Sequence, residues 1–166
     1  MKNHKTVRLY NVMFPIWMIL FLPSKLWLWV IPANFIIDSI VLYFGTKDWS
    51  IVRNHSWKTC IIGFVCDFIG ALILLGLLIF SDHLDSESFF ANAVYDMSMN
   101  PFKNIFALLI LLAVVALVGY LIYVMNRWML RKFTKLDENT IHHACLLLAV
   151  ITAPWLYFLP TTLLYH

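Results

Sequence analysis

Two aspartates, Asp38 and Asp67, stand inside long apolar stretches. A carboxylate at the centre of a membrane helix costs about 2.5–3.5 kcal/mol, so it needs a partner or a use. Two facing carboxyl groups are suited to handling a proton or a small cation, because like charges held close together resist ionising at once. Asn34 lies four residues before Asp38 and shares its helix face. Gly63, Gly70 and Ala71 lie at i−4, i+3 and i+4 from Asp67, and small residues let a neighbouring backbone approach closely. With Arg8 and Asn11 from the N-terminal stretch, Asn34, Asp38 and Asp67 form the candidate ion- or ligand-binding site. No catalytic set and no metal-ligand set is read beside them.

The elements that would position these residues are membrane spans. The chain has 166 residues, is 62% hydrophobic and 13% charged, and has a mean hydropathy of +0.81, whereas a soluble domain is about a quarter charged. Ile105–Met125 runs without a charge, and about 20 apolar helical residues cross a hydrocarbon core of about 30 Å. No alternation of the kind that marks a β-barrel strand is present. The expected fold is therefore all-α: one polytopic domain of five transmembrane helices over about 6–22, 26–44, 59–80, 102–126 and 138–159. Residues 81–101 form an external loop. The basic start resembles a signal peptide, but Leu22-Pro23-Ser24-Lys25 offers no small-residue cleavage site, so an uncleaved first helix is expected.

Local signals place the ends. Pro23 and Gly45 close the first two spans. Asn100-Pro101 reads as cap and first residue of the fourth, and Asp137 caps the fifth, where Pro154 predicts a kink. Within the loop, Ser86 could open a short helix carrying Phe89, Phe90, Ala93, Val94 and Met97 on one side, a pattern suited to lying on a membrane surface. Thr46–Lys58 and Arg127–Lys135 are read as polar connectors. With the N-terminus in the cytoplasm, ten Lys and Arg fall inside and only Lys25 and Lys103 outside, so the C-terminus is expected outside.

This frame sets depth. Asp38 lies about 10 Å and Asp67 about 12 Å from the cytoplasmic ends of consecutive helices, at about 1.5 Å per residue. Both fall in one layer of the cytoplasmic half, level with Arg8 and Asn11, while Arg127, His142 or His143 could approach from the last two helices. The competing reading is a buried network that only fixes helix register. Interhelical polar contacts in membranes average about 0.6 kcal/mol, so specificity would be its contribution.

Other motifs are weaker. An aspartyl intramembrane protease needs GxGD, and the stretch here is Phe64-Val65-Cys66-Asp67, so an enzyme is not the expected reading. Cys60, Cys66 and Cys145 form no CxxC pair and read as packing residues. Asp82-His83-Leu84-Asp85-Ser86-Glu87 could meet a divalent cation, but a solvated acidic loop is the simpler account. Trp27, Trp29, Trp49, Trp57 and Trp128 fall near span ends as interfacial anchors, with Trp17 and Trp155 deeper and packed. No cofactor is implied. The pI near 8.8 reflects inner loops suited to anionic headgroups, not a nucleic-acid surface.

In span number, length and tryptophan content the chain resembles the tryptophan-rich sensory protein family. Pro23-Ser24-Lys25-Leu26-Trp27 falls where that family has a Pro/Trp-rich turn. The aromatic pattern that should follow does not continue and a later polar aromatic motif is missing, so the chain is not assigned to it. The functional expectation is a transporter, channel or transporter subunit in a bacterial cytoplasmic membrane, acting as a homo-oligomer or within a membrane complex. The alternative is a non-transporting binding or assembly protein.

Overall fold

The computed structural model describes residues 27–84 and 88–164, together with Pro15, Trp17, Met18, Phe21 and Lys25. Five α-helices follow in order: α1 Trp27–Thr46, α2 Trp49–Asp82, α3 Phe89–Met99, α4 Ile105–Phe133 and α5 Glu138–Ile151. Four helical segments, namely α1, α2, α4 and α5 with its extension to Phe158, are long and apolar enough to cross a membrane. The chain is an all-α, multi-pass membrane protein. The first expected span, over 6–22, and the Pro23-Ser24 turn lie outside the described residues apart from isolated positions.

The four long helices close into a ring in which α1 packs on α2 and α5, and α4 packs on α2 and α5. Leu42, Leu74, Leu111, Ile122, Leu130 and Leu148 fill its centre. Leu28, Trp29, Ile36, Ile79, Leu109 and Val150 point outward, as expected where the surrounding solvent is lipid.

Three glycines, facing two alanines and a valine, set the closest crossings. A Cβ on Gly45 would lie 2.5 Å from the Ala144 Cα, one on Gly119 would lie 3.0 Å from the Ala149 carbonyl oxygen, and one on Gly70 would lie 2.5 Å from Val118 Cγ2. These contacts bring α1 to α5, α4 to α5, and α2 to α4 at near-backbone distance, the packing that small residues permit in membranes.

Several boundaries differ from the hydropathy reading. Thr46–Lys58 is not a loop: only Lys47 and Asp48 separate α1 from α2. Lys47 takes a left-handed conformation (φ 52°) and donates its N–H to the Tyr43 carbonyl at 2.7 Å. Asp48 then caps α2 by accepting the Ser50 N–H at 2.8 Å. Val52, His55, Ser56 and Thr59 are buried at helical spacing, so a helical stripe is present but made of polar residues that hydropathy discounts. At 34 residues α2 is about 50 Å long, well beyond a hydrocarbon core.

Asn100 caps a 3-10 turn, Pro101–Lys103, and Asn104 caps α4 through the Phe106 N–H at 3.0 Å. The fourth helix does not stop at Asn126 but runs to Phe133, with Arg131 and Lys132 in its last turn, where cations complement the helix dipole. The short α3 turns its apolar face inward: Ala93, Val94 and Met97 are buried, so it covers the ends of α2 and α4 instead of lying only on lipid.

Pro154 ends a helix here instead of kinking it. It has no N–H for the Val150 carbonyl, α5 stops at Ile151, and a 3-10 turn follows at Trp155–Phe158. The Trp155 indole supplies the missing donor, bonding the Val150 carbonyl at 2.8 Å. Trp155 is therefore 51% exposed and committed to a cap, whereas Trp17 is buried.

Candidate functional site around Asp38 and Asp67

Asp38 sits on the inner face of α1 with 5% of its surface exposed. Its Oδ2 lies 3.7 Å from where a Cβ on Gly63 would stand, so the missing side chain of α2 makes room for the carboxyl group. The Thr152 side chain stands beside Asp38 at the end of α5, and its hydroxyl donates to the Leu148 carbonyl at 2.8 Å. A hydroxyl has one proton to donate, so Thr152 can serve Asp38 as a donor only by releasing Leu148.

The register that brings Thr152 to Asp38 comes from the Gly45–Ala144 crossing. Asp38 lies seven residues before Gly45 and Thr152 eight residues after Ala144. Antiparallel helices advancing about 1.5 Å per residue return those two side chains to one level.

Asp67 lies one helical turn after Gly63. Side chains lean toward a helix N-terminus, which tilts Asp67 toward the turn that Asp38 abuts, and the two carboxyl groups are within electrostatic reach of each other. The Asp67 Oδ1 is buried and has no hydrogen-bond partner among the described residues. Its backbone carbonyl accepts the Tyr157 hydroxyl at 2.6 Å. Gly70 admits that ring, since a Cβ there would lie 3.3 Å from the Tyr157 oxygen.

Asn34, one turn before Asp38, is half-buried. Arg8 and Asn11 lie outside the described residues. Among the described residues no ion pair reaches either aspartate. Arg127 does not approach them: it donates to the Tyr123 hydroxyl at 3.0 Å and to Glu138 at 3.3 Å. Glu138 also takes two bonds from Arg131, at 2.6 and 2.5 Å. His142 hydrogen-bonds the Tyr123 hydroxyl at 2.8 Å, and His143 is exposed. These groups form an exposed clasp between α4 and α5 at the basic end.

Sequence reasoning missed other members of the polar interior. Asn126, treated as the end of a span, is 0% exposed. Its amide donates to the Ile122 carbonyl at 2.9 Å, and its Oδ1 is a second buried acceptor without a partner among the described residues. The neighbouring contact, Cys66 Sγ to Met125 Sδ at 3.6 Å, puts Asn126 at the level of Asp67. Ser39 and Ser56 join their hydroxyls across α1 and α2, and Ser39 also donates to the Phe35 carbonyl at 2.6 Å. An asparagine ending an apolar run was the one sequence signal available for Asn126. Thr152, Ser39 and Ser56 give none, because they enter the layer through helix crossings.

The three cysteines are buried and free. Among the described residues, no cluster of three or more His, Cys, Asp or Glu could hold a metal ion. Asp85 and Glu87 of the acidic loop lie outside those residues, and His83 bonds the Ile79 carbonyl at 2.8 Å. Buried oxygens that can only accept are suited to a proton, a small cation or an incoming N–H or O–H group. No protein-family model matches the chain, and neither the curated proteins nor the solved structures give a match.

Proposed function

We propose that the chain is a small transport protein, or the membrane subunit of one, that passes protons or small cations through the layer holding Asp38 and Asp67. Asn34 belongs to this layer on α1, and Arg8 and Asn11 complete it from the N-terminal span. The observation that carries this reading is the buried Asp67 Oδ1, which has no donor among the described residues, close to the buried Asp38 carboxyl. A layer built solely to lock helices together gains nothing from an acceptor left unsatisfied, since such a group costs about 1–3 kcal/mol. An ion site requires that spare acceptor.

Five spans make up the proposed bundle, the N-terminal one over 6–22 joining the four long helices. The N-terminus lies in the cytoplasm and the C-terminus outside, following the distribution of Lys and Arg. The membrane is a bacterial cytoplasmic membrane with anionic headgroups at the basic face. Five helices enclose little volume, so the working unit is a homo-oligomer or a larger complex.

A second reading has its own support. The close crossings at Gly45–Ala144 and Gly119–Ala149, and surface grooves that open away from the aspartates, suit an assembly protein whose polar layer is structural. The test is proton and cation flux into dye-loaded vesicles carrying the purified full chain, with Asp38→Asn and Asp67→Asn beside it. Wild-type flux that either substitution abolishes, in variants that melt like wild type, supports transport. Flux equal to protein-free vesicles for every ion tried, or unchanged in both variants, refutes it.

A further inference from the structure

At the basic end, the outer seam between α2 and α4 carries a groove of about 500 Å³. Its apolar walls include Trp57 and Ile61 from α2, and Val124, Trp128 and Phe133 from α4, all of them exposed. From Val124 to Phe133 the groove follows α4 for about 14 Å at 1.5 Å per residue, a length that accommodates much of one fatty-acyl chain.

Lys58 lines this groove, and Lys132, which lines the neighbouring groove across Trp128, reaches its Phe133 rim. Lys58 Nζ lies 3.8 Å from the centre of the Phe133 ring, and Lys132 Nζ lies 5.6 Å from that ring and 4.8 Å from Trp128. Among the described residues neither lysine pairs with a carboxylate; Glu138 is taken by Arg127 and Arg131. Apolar depth, tryptophans at the rim and unneutralised cations at the mouth match a phospholipid in tail, interface and headgroup.

We infer that this seam is a discrete binding site for one anionic phospholipid of the leaflet at the basic end. One acyl chain lies between Ile61 and Val124, and the headgroup phosphate sits between Lys58 and Lys132. The charge argues against a second copy as occupant, because a symmetric pairing through this face would set four unpaired ammoniums together. The inference is independent of the aspartate layer, so either can fail alone.

The test is lipid retention by the purified full chain in detergent, read by native mass spectrometry with phosphatidylglycerol and phosphatidylcholine of identical chains. Phosphatidylglycerol should be retained preferentially. Lys58→Gln and Lys132→Gln should each weaken it about fivefold, and together about twenty-five-fold, with phosphatidylcholine unchanged. Val124→Trp, which fills the groove, should reduce both lipids, and Lys135→Gln, outside the groove, should change neither. Equal retention of the two lipids, or an undiminished preference in the double lysine variant, overturns the site. So does soluble glycerol phosphate competing as well as the whole lipid, or a dimer excluding both lipids.

Discussion

Gly45→Ala tests the crossing on which the site's register depends. The added methyl would stand 2.5 Å from the Ala144 Cα and 2.6 Å from its Cβ, whereas carbon atoms rest about 3.5–4.0 Å apart. The obstacle is largely backbone, so no side chain can swing away and α1 must move about 1 Å from α5. Overpacking of this kind costs about 1–3 kcal/mol, offset by up to about 1 kcal/mol for replacing glycine by alanine within a helix. The expected net loss is about 1–2 kcal/mol, or a melting point roughly 3–6 °C lower for a chain of this size. Gly76→Ala is the control, because a Cβ there meets nothing within 4 Å, and it should hold or raise the melting point. The three buried free cysteines supply the assay: a thiol-reactive dye reports their exposure as the full chain is heated in mild detergent. If Gly45→Ala melts at or above wild type while Gly76→Ala behaves as described, the close crossing does not constrain the bundle. The register argument for Asp38 and Thr152 then falls with it.

The remaining predictions concern the helix ends. Lys47→Gly should stabilise the chain by about 0.5–1 kcal/mol, because relief of the left-handed strain exceeds the entropy that glycine adds to the unfolded chain; an unchanged or lower melting point refutes this. Trp155→Phe keeps an aromatic ring to stack on Phe158 but removes the donor to the Val150 carbonyl. It should lower stability by about 1 kcal/mol, since an acceptor left unpaired away from water is not compensated, and a melting point equal to wild type would refute the capping role. Asp137 accepts from Thr140, whose side chain first and backbone N–H second hold the carboxyl below its ordinary value. Its contribution is complete above the unfolded carboxylate value of about 3.9 and disappears as pH falls through the lower folded value. Asp137→Asn should remove that acid-side loss, and parallel melting-versus-pH curves for the two proteins would refute the assignment.

Composition and block length determine that this chain is a helical membrane protein, because a bilayer admits few ways of satisfying a backbone and hydropathy reports the commonest directly. The Asp137 cap was legible for the same local reason, since it acts within its own turn, whereas Pro154, expected to kink the last helix, ends it. Asp38 and Asp67 could be singled out as intramembrane acids, since the cost of a carboxylate in lipid depends on depth more than on neighbours. The helical nature of residues 49–58 was not legible, because its buried stripe is His55, Ser56 and Thr59. Nor was the company the aspartates keep. Thr152, Asn126 and Tyr157 come from far along the chain, and the crossings at Gly45–Ala144 and Gly70–Val118 bring their helices in. Those crossings depend on atom-level fit between two surfaces, which no single stretch of sequence contains. Sequence alone located two charges that needed an explanation, and tertiary packing decided which buried oxygens among the described residues still lack a partner.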